Sequence, residues 1–217
     1  MKLAASFFIR SDVTRIARQL LGKVLVTRMG GQLTGGMIVE TEAYSYKEKG
    51  CHAFKGKTNR NEVMFENGGR AYVYLCYGIH EMFNVVTNKQ GKADAILIRA
   101  LEPLAGMEVM LNRMKTHAVT RITSGPGKLT RAMGIDRKLN GESLEMNKIW
   151  VEDQGIKIKR NDIISGPRIG IDYAGADALL PWRFVIRGNK WVSGESFKKV
   201  KLKAKSKKLK VERKGGS

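Results

Sequence analysis

Two glutamates and a tyrosine alternate along one largely apolar stretch, Ile38-Val39-Glu40-Thr41-Glu42-Ala43-Tyr44. If this stretch is a β-strand, residues two apart point to the same face, so Glu40, Glu42 and Tyr44 lie together. Two carboxylates beside a phenol are suited to general acid–base chemistry. The pattern is also typical of a solvated strand face, and alternation alone does not choose between Glu40 and Glu42.

A tyrosine-rich segment predicts a β-hairpin whose turn lies near Tyr77–His80. Tyr77 and Ile79 put apolar bulk where turns usually carry polar groups, and such a tip can act as a wedge in a nucleic-acid groove. Packing of the tip on its own domain is the alternative. Tyr72 and Tyr74 share the other face, either as core aromatics or as surfaces for stacking a base.

A glycine-rich turn, Ser124-Gly125-Pro126-Gly127, runs into a predicted helix that carries Lys128 and Arg131. Free backbone N–H groups at a helix start, with two cations nearby, suit a phosphate. The spacing is not that of a nucleotide-binding P-loop. A plain helix start is the alternative.

The histidines and cysteines do not predict a metal site or a disulfide framework. His52, His80 and His117 lack ligand spacing, and Cys51 and Cys76 lack the CxxC spacing. We therefore expect no metal and no cofactor. Two isolated cysteines fit a reducing interior, so we expect an intracellular protein, in the cytoplasm or nucleoid if the source is bacterial.

The charge of the chain indicates a polyanionic partner. There are 40 Lys and Arg against 20 Asp and Glu in 217 residues, a formal net charge of +20. Residues 198–217 hold ten of the basic residues and one acid, a net +9, and we expect a solvated or disordered tail there. The opening apolar stretch Met1–Ile9 is too short to cross a membrane.

The hydrophobic pattern predicts a single α+β domain over residues 1–197, with packed helices on a largely antiparallel, curved sheet and a protruding hairpin. A helix capped by Ser11 is expected to run from Val13 to Leu21 and stop at Gly22. Further helices are expected at Leu104–Met114 and Lys128–Met133. The predicted strands are Lys23–Arg28, Gly36–Tyr44, Ala71–Cys76, Met82–Thr87, Ala95–Ala100, Ile149–Glu152, Ile156–Lys159, Arg168–Ile171 and Phe184–Arg187.

With these segments in order, the chain resembles the alkyladenine (3-methyladenine, methylpurine) DNA glycosylase family from about Leu20 through Ser193. The motifs that carry the resemblance are Glu40-Thr41-Glu42-Ala43-Tyr44, Arg60-Asn61 with Met64-Phe65, Tyr72-Val73-Tyr74 with Tyr77-Gly78, Arg99-Ala100-Leu101-Glu102-Pro103-Leu104, Ser124 to Leu129, Arg168-Ile169-Gly170-Ile171 and Pro181-Trp182-Arg183-Phe184. The resemblance implies a metal-free, monofunctional glycosylase that flips alkylated or deaminated purines out of duplex DNA and leaves an abasic site. We expect it to act as a monomer.

The resemblance also implies roles for individual residues. Glu42 matches the carboxylate that activates water, Tyr77 the residue that wedges into the duplex, and Asn84 the residue that excludes the exocyclic amine of guanine. The expected base pocket is formed by Tyr44, His52 and Tyr74. Residues expected to contact DNA are Arg60, Ile79, Arg99, Lys128 and Arg131.

Two departures concern the expected pocket. The segment from Tyr44 to His52 is shorter than in some members of the family, and His80 stands where others carry an aromatic residue. A non-enzymatic DNA- or RNA-binding protein is the alternative function, because charge, hairpin tip and tail fit it equally well.

Overall fold

The strand that carries Glu40 and Glu42 is the longest of eight strands in the computed structural model, which describes residues 1–194. The tail predicted at residues 198–217 lies outside the described residues. The helices are α1 (Ala5–Phe8), α2 (Val13–Leu20), α3 (Met107–Met114) and α4 (Pro126–Met133). The strands are β1 (Val24–Met29), β2 (Gln32–Tyr44), β3 (Ala71–Cys76), β4 (His80–Thr87), β5 (Asp94–Ala105), β6 (Ile149–Glu152), β7 (Ile163–Gly166) and β8 (Arg183–Ile186).

All eight strands join one antiparallel sheet. Its main order is β3-β4-β5-β2-β1-β6, and β8 pairs with both β2 and β7. The long strand β2 pairs with β1 along its first half and with β8 at Glu40–Glu42, while β5 lies along its other edge. The sheet is curled like half a barrel, and the α+β prediction is confirmed.

The two faces of the sheet are covered differently. One face packs on α2, α3 and α4, where Ile16, Leu20 and Met133 are fully buried with Ile98. On the other face, a second apolar cluster includes residues of the loops that follow β2 and β7, together with Tyr44 and Tyr72. Thr41 faces α2, because its hydroxyl donates to the Ala17 carbonyl at 3.0 Å. Glu40, Glu42 and Tyr44 therefore lie on the face covered by loops.

A β-bulge in β5 supplies the partner of the two glutamates. Glu40 pairs with Ala100 and Thr41 with Ile98, so Arg99 has no opposite residue on β2. An extra residue of this kind turns its side chain out of the regular alternation. The bulge directs Arg99 toward the carboxylates of Glu40 and Glu42.

Several predicted boundaries were wrong. Asp12, and not Ser11, caps α2, since its carboxylate accepts from the Arg15 N–H at 2.9 Å. Leu104 extends β5, and the helix starts only after Gly106, whose φ of 72° breaks the strand. Residues 156–159 and 168–171 form no strands. The unpredicted strand β7 forms by pairing with β8.

Candidate active site

Glu40 is a fully buried carboxylate that accepts four hydrogen bonds from the described residues. Its Oε1 accepts from Arg183 Nε at 2.7 Å, Arg99 Nε at 3.0 Å and the Ser193 hydroxyl at 3.0 Å. Its Oε2 accepts from the Ser193 N–H at 2.6 Å. Arg99, Arg183 and Ser193 therefore enclose this carboxylate, and its Oε1 alone accepts from three of the four donors.

Glu42 is equally buried but receives only three hydrogen bonds from the described residues. Its Oε2 accepts from the Tyr44 hydroxyl at 2.8 Å and from Arg99 Nη1 at 3.2 Å. Its Oε1 accepts from the Ile169 N–H at 2.8 Å. A carboxylate oxygen offers about two lone-pair positions, so Oε1 of Glu42 can accept one further hydrogen bond. All three donors belong to residues that line one aromatic cavity, whereas Arg183 and Ser193 beside Glu40 do not.

Arg99 and Tyr44 supply the electrostatics around Glu42. Burial disfavours a charged guanidinium, but the charges of Glu42 and Glu40 outweigh it and raise the pKa of Arg99. Burial, then the charge of Glu42, raises the pKa of Tyr44 well above its ordinary value. Tyr44 therefore stays a phenol and can donate to Glu42.

Beside these residues lies a cavity of about 480 Å³ with an aromatic wall. The His52 ring stands edge-on to Tyr74 with centroids 4.6 Å apart, and Tyr72 and Tyr74 lie 5.3 Å apart with a tilt of 34°. The volume and the ring surfaces suit a flat aromatic group. The cavity is lined by Tyr44, Gly50, His52, Arg60, Met64, Tyr72, Tyr74, Cys76, Tyr77, Met82, Asn84, Ala95, Leu97, Arg99, Pro126, Ile169, Gly170, Ile171 and Tyr173.

His52 is a neutral polar group in this wall. Its Nδ1 lies 3.0 Å from the Tyr72 hydroxyl. Desolvation, with a smaller contribution from the charge of Arg60, lowers the pKa of His52 from 6.5 to about 4. Burial raises the pKa of Tyr72 to about 12. At neutral pH both groups are uncharged, so the wall can hydrogen-bond a ligand without repelling a cation.

Asn84 is fixed at the bottom of the hairpin. It pairs with Tyr72 on β3 and with Leu97 on β5. Its side-chain amide nitrogen donates to the carbonyls of Tyr72 at 3.2 Å and Met82 at 3.5 Å. The side chain is therefore held in one place at the cavity wall.

The tip of the β3–β4 hairpin carries two exposed apolar side chains, Tyr77 (88% exposed) and Ile79 (73% exposed). Tyr77 and Gly78 both have positive φ, 50° and 72°, as the two central residues of a type I′ turn require. This conformation is unfavourable for a tyrosine and is typical of residues held in place for function. Tyr77 also lines the cavity.

The remaining basic residues predicted to contact DNA differ in their surroundings. Lys128 and Arg131 are exposed on α4, although Arg131 Nε donates to the Arg113 carbonyl at 3.1 Å. Arg60 is exposed and lies over the Tyr74 ring at 5.2 Å. Arg99 is only 8% exposed, and its guanidinium is engaged by the two carboxylates.

Sequence reasoning assigned no role to Glu48, Arg168 or Tyr173. Arg168 forms a two-point ion pair with Glu48, at 2.6 and 2.8 Å, and both residues are buried. Tyr173 lines the cavity and donates to the Gly50 carbonyl at 3.2 Å. Glu48 and Arg168 are 120 residues apart, and no local pattern connects them. Only the family resemblance indicated that the segment around Arg168 belongs to the site.

The described part of the chain offers neither a metal cluster nor a membrane span. Within residues 1–194 no group of three or more His, Cys, Asp or Glu is arranged to hold a metal ion. No helix in that range is both long and apolar enough to cross a membrane. Cys51 and Cys76 are both free thiols.

A buried carboxylate beside an aromatic cavity, in a strongly basic chain, is the arrangement expected of an enzyme that acts on nucleic acid. The model of the methylpurine-DNA glycosylase family matches residues 6–190. A protein of Carboxydothermus hydrogenoformans named "Putative 3-methyladenine DNA glycosylase" is 47% identical over 193 residues, covering 89% of this chain and 99% of that protein. Proteins of the same name from Methanocella arvoryzae and Chlamydia abortus are 49% and 44% identical, covering 82% and 85% of this chain and 89% and 97% of those proteins.

The chain therefore belongs to the methylpurine-DNA glycosylase family, whose members are hydrolases of N-glycosyl bonds in DNA. The family resemblance stated from the sequence is confirmed. Family membership also decides against the non-enzymatic alternative.

Proposed function

We propose that this protein flips alkylated or deaminated purines, of the 3-methyladenine, 7-methylguanine and hypoxanthine types, out of duplex DNA and hydrolyses their bond to the sugar. One observation carries the proposal: all three residues that donate to Glu42 line an aromatic cavity of about 480 Å³. The product is an abasic site. Because this chemistry needs genomic DNA, we place the enzyme inside the cell.

Extrusion of the nucleotide is assigned to the hairpin tip. Unstacking and unpairing one nucleotide costs about a few kcal/mol. The exposed ring of Tyr77 can fill the gap left in the duplex and offset that cost, and Ile79 adds apolar contact. The turn holds Tyr77 at the edge of the cavity, where the extruded base would enter.

Recognition is assigned to the aromatic wall. Alkylation of a ring nitrogen leaves a cationic purine, which is attracted to the faces of Tyr44 and Tyr74. Neutral His52 adds stacking without like-charge repulsion. The fixed side chain of Asn84 supports exclusion of the 2-amino group of guanine by size.

Bond cleavage is assigned to water held by Glu42. The water oxygen forms a new bond to the sugar C1′ while the C1′–N bond breaks. The electron pair of the broken C1′–N bond leaves with the base. The water proton passes to Glu42, whose negative charge also stabilises the positive charge developing on the sugar. The Arg99 guanidinium lies 3.2 Å from Glu42 Oε2, so a positive charge faces the carboxylate that holds the water. An alkylated, cationic base leaves neutral and needs no further proton, whereas hypoxanthine must take up one proton from solvent as it leaves.

Phosphate contacts are assigned to the exposed cations around the cavity. Pro126 lines the cavity and opens α4, so Lys128 and Arg131 of the same helix stand near the expected path of the DNA backbone. Arg60 is near enough to Tyr74 to contact the flipped nucleotide. We further propose that the enzyme acts as a monomer.

The experiment is a base-release assay. The protein is incubated with duplexes containing one hypoxanthine or 7-methylguanine, and the free base is separated from the DNA. We expect free base and an abasic strand that breaks only after alkali treatment. No trapping by borohydride is expected, because a monofunctional enzyme forms no Schiff base. A folded protein that binds these duplexes without releasing base would refute the proposal.

A further inference from the structure

The Glu48–Arg168 ion pair lies outside the set of groups that the reaction uses, yet both of its ends touch the pocket wall. Arg168 Nη1 donates to the Ala43 carbonyl at 2.9 Å, and Ala43 stands between Glu42 and Tyr44 on β2. Glu48 Oε2 accepts from the N–H of Gly50, a cavity residue, at 2.7 Å. The pair thus ties strand β2 to the loop that follows it.

Arg168 also orders the opposite side of Glu42. Its neighbour in the chain, Ile169, donates the N–H that holds Glu42 Oε1 at 2.8 Å. Arg168 Nη2 donates to the Asp177 carbonyl at 3.1 Å, which joins the loop after β7 to the 3₁₀ turns that follow. One guanidinium therefore fixes the backbone on both sides of Glu42.

The face of the same guanidinium supports Tyr44. Its central carbon lies 4.7 Å from the centroid of the Tyr44 ring and 5.3 Å from that of Trp182. Arg168 is 5% exposed and Glu48 4% exposed, so solvent does not compete for these contacts. Stacking of this kind limits how far the Tyr44 ring can tilt, and the ring both walls the cavity and donates to Glu42.

We propose that the Glu48–Arg168 pair is a positioning unit for base excision, which sets the distance between Glu42, the Ile169 N–H and the Tyr44 ring. This inference rests on the proposed role of Glu42. Misplacing a reacting group by about 1 Å costs on the order of 100-fold in rate. The pair acts through Glu42 and Tyr44 and does not itself touch the substrate.

The test variant is E48Q/R168M, which removes both charges together. Removing one partner alone would leave an uncompensated buried charge, whereas a neutral pair of similar volume is usually tolerated. The amide oxygen of the introduced glutamine can still accept from the Gly50 N–H. The matched control is K23M/D153N, because Asp153 pairs with Lys23 at 2.6 Å and accepts from the Gly155 N–H in the same i+2 geometry. Neither Lys23 nor Asp153 lines the cavity.

Two measurements are made on folded protein, with the melting temperature recorded as a control. The first is the single-turnover rate of base release beside the Kd for the same duplex. For E48Q/R168M we expect a fall of about 100-fold in rate with Kd changed less than about threefold. R168K keeps the charge but loses the two-point contact. Its rate should therefore lie between those of E48Q/R168M and wild type. The control pair should match wild type.

The second measurement is hydrogen exchange at the Ile169 amide, which does not depend on base release. We expect exchange at least about tenfold faster in E48Q/R168M, with the core strand β1 unchanged. A wild-type rate of base release in the folded double variant would overturn the inference, whether or not Ile169 exchange changes. If wild type releases no base, the proposed function fails, while faster Ile169 exchange would still support the positioning of that amide by the pair.

Discussion

Replacement of Glu42 by Gln tests the proposed chemistry most directly, since it removes one charge and keeps the shape of the side chain. General base catalysis contributes about 10²- to 10⁴-fold. We therefore expect the single-turnover rate of base release to fall by about that factor, which corresponds to about 3–5 kcal/mol of transition-state stabilisation. In this variant Arg99 still contacts the Glu40 carboxylate at 3.0 Å, so the charge of the Arg99 guanidinium remains compensated. The expected loss of stability is only about 1–3 kcal/mol.

The matched variant is Glu40→Gln, two residues away in the same strand. Glu40 accepts four hydrogen bonds, and two guanidinium groups, Arg99 and Arg183, contact its carboxylate. Loss of this charge should cost about 3–5 kcal/mol of stability, a fall of about 10 °C in melting temperature. The rate per folded molecule should fall less than about tenfold, because Glu42 and its cavity-lining donors remain.

The assay mixes limiting duplex with excess enzyme. The reaction temperature is kept below the melting temperature of both variants. Measuring a single turnover separates chemistry from product release. Normal turnover by Glu42→Gln would refute the proposed role of Glu42. If Glu40→Gln alone abolished base release in folded protein, the catalytic assignment would move by two residues.

Four further predictions concern the tip, the pocket and the helix. Tyr77→Ala should leave the melting temperature unchanged, since the ring is 88% exposed, but lower the single-turnover rate by about tenfold or more; an unchanged rate would contradict the wedge role. Asn84→Ser should allow measurable release of undamaged guanine. If guanine is still not released, a residue other than Asn84 provides that selectivity. The pKa of His52, about 4 instead of 6.5, means that the folded state binds fewer protons than the unfolded state between these pH values. The free energy of unfolding should therefore fall as pH drops from 6.5 to 4, and His52→Gln should reduce that slope; an NMR titration midpoint near 6.5 would refute it. Lys128→Ala should weaken duplex binding irrespective of sequence and reduce the slope of log K against log salt by about 1.

Periodicity was sufficient to predict most elements and the common face of Glu40, Glu42 and Tyr44. Strand alternation and the amphipathic spacing of α2 are properties of neighbouring residues, so they can be read locally. The wrong segments are those whose conformation depends on a distant partner. Strand β7 exists because it pairs with β8. Residues 168–171 form no strand, and the Ile169 N–H donates instead to a carboxylate 127 residues away.

The sequence by itself determined the basic character of the chain, the antiparallel α+β class and, through ordered motifs, the family. Only the tertiary structure distinguished the two glutamates by their surroundings, because alternation places Glu40 and Glu42 on the same face. Among the described residues, Glu42 accepts only from those that line the cavity, whereas Arg183 and Ser193, which donate to Glu40, do not line it. Those donors come from β2 itself, β5, β8 and two loops far apart in the chain. The number of donors around a carboxylate depends on how such segments pack together, and no local pattern records that packing.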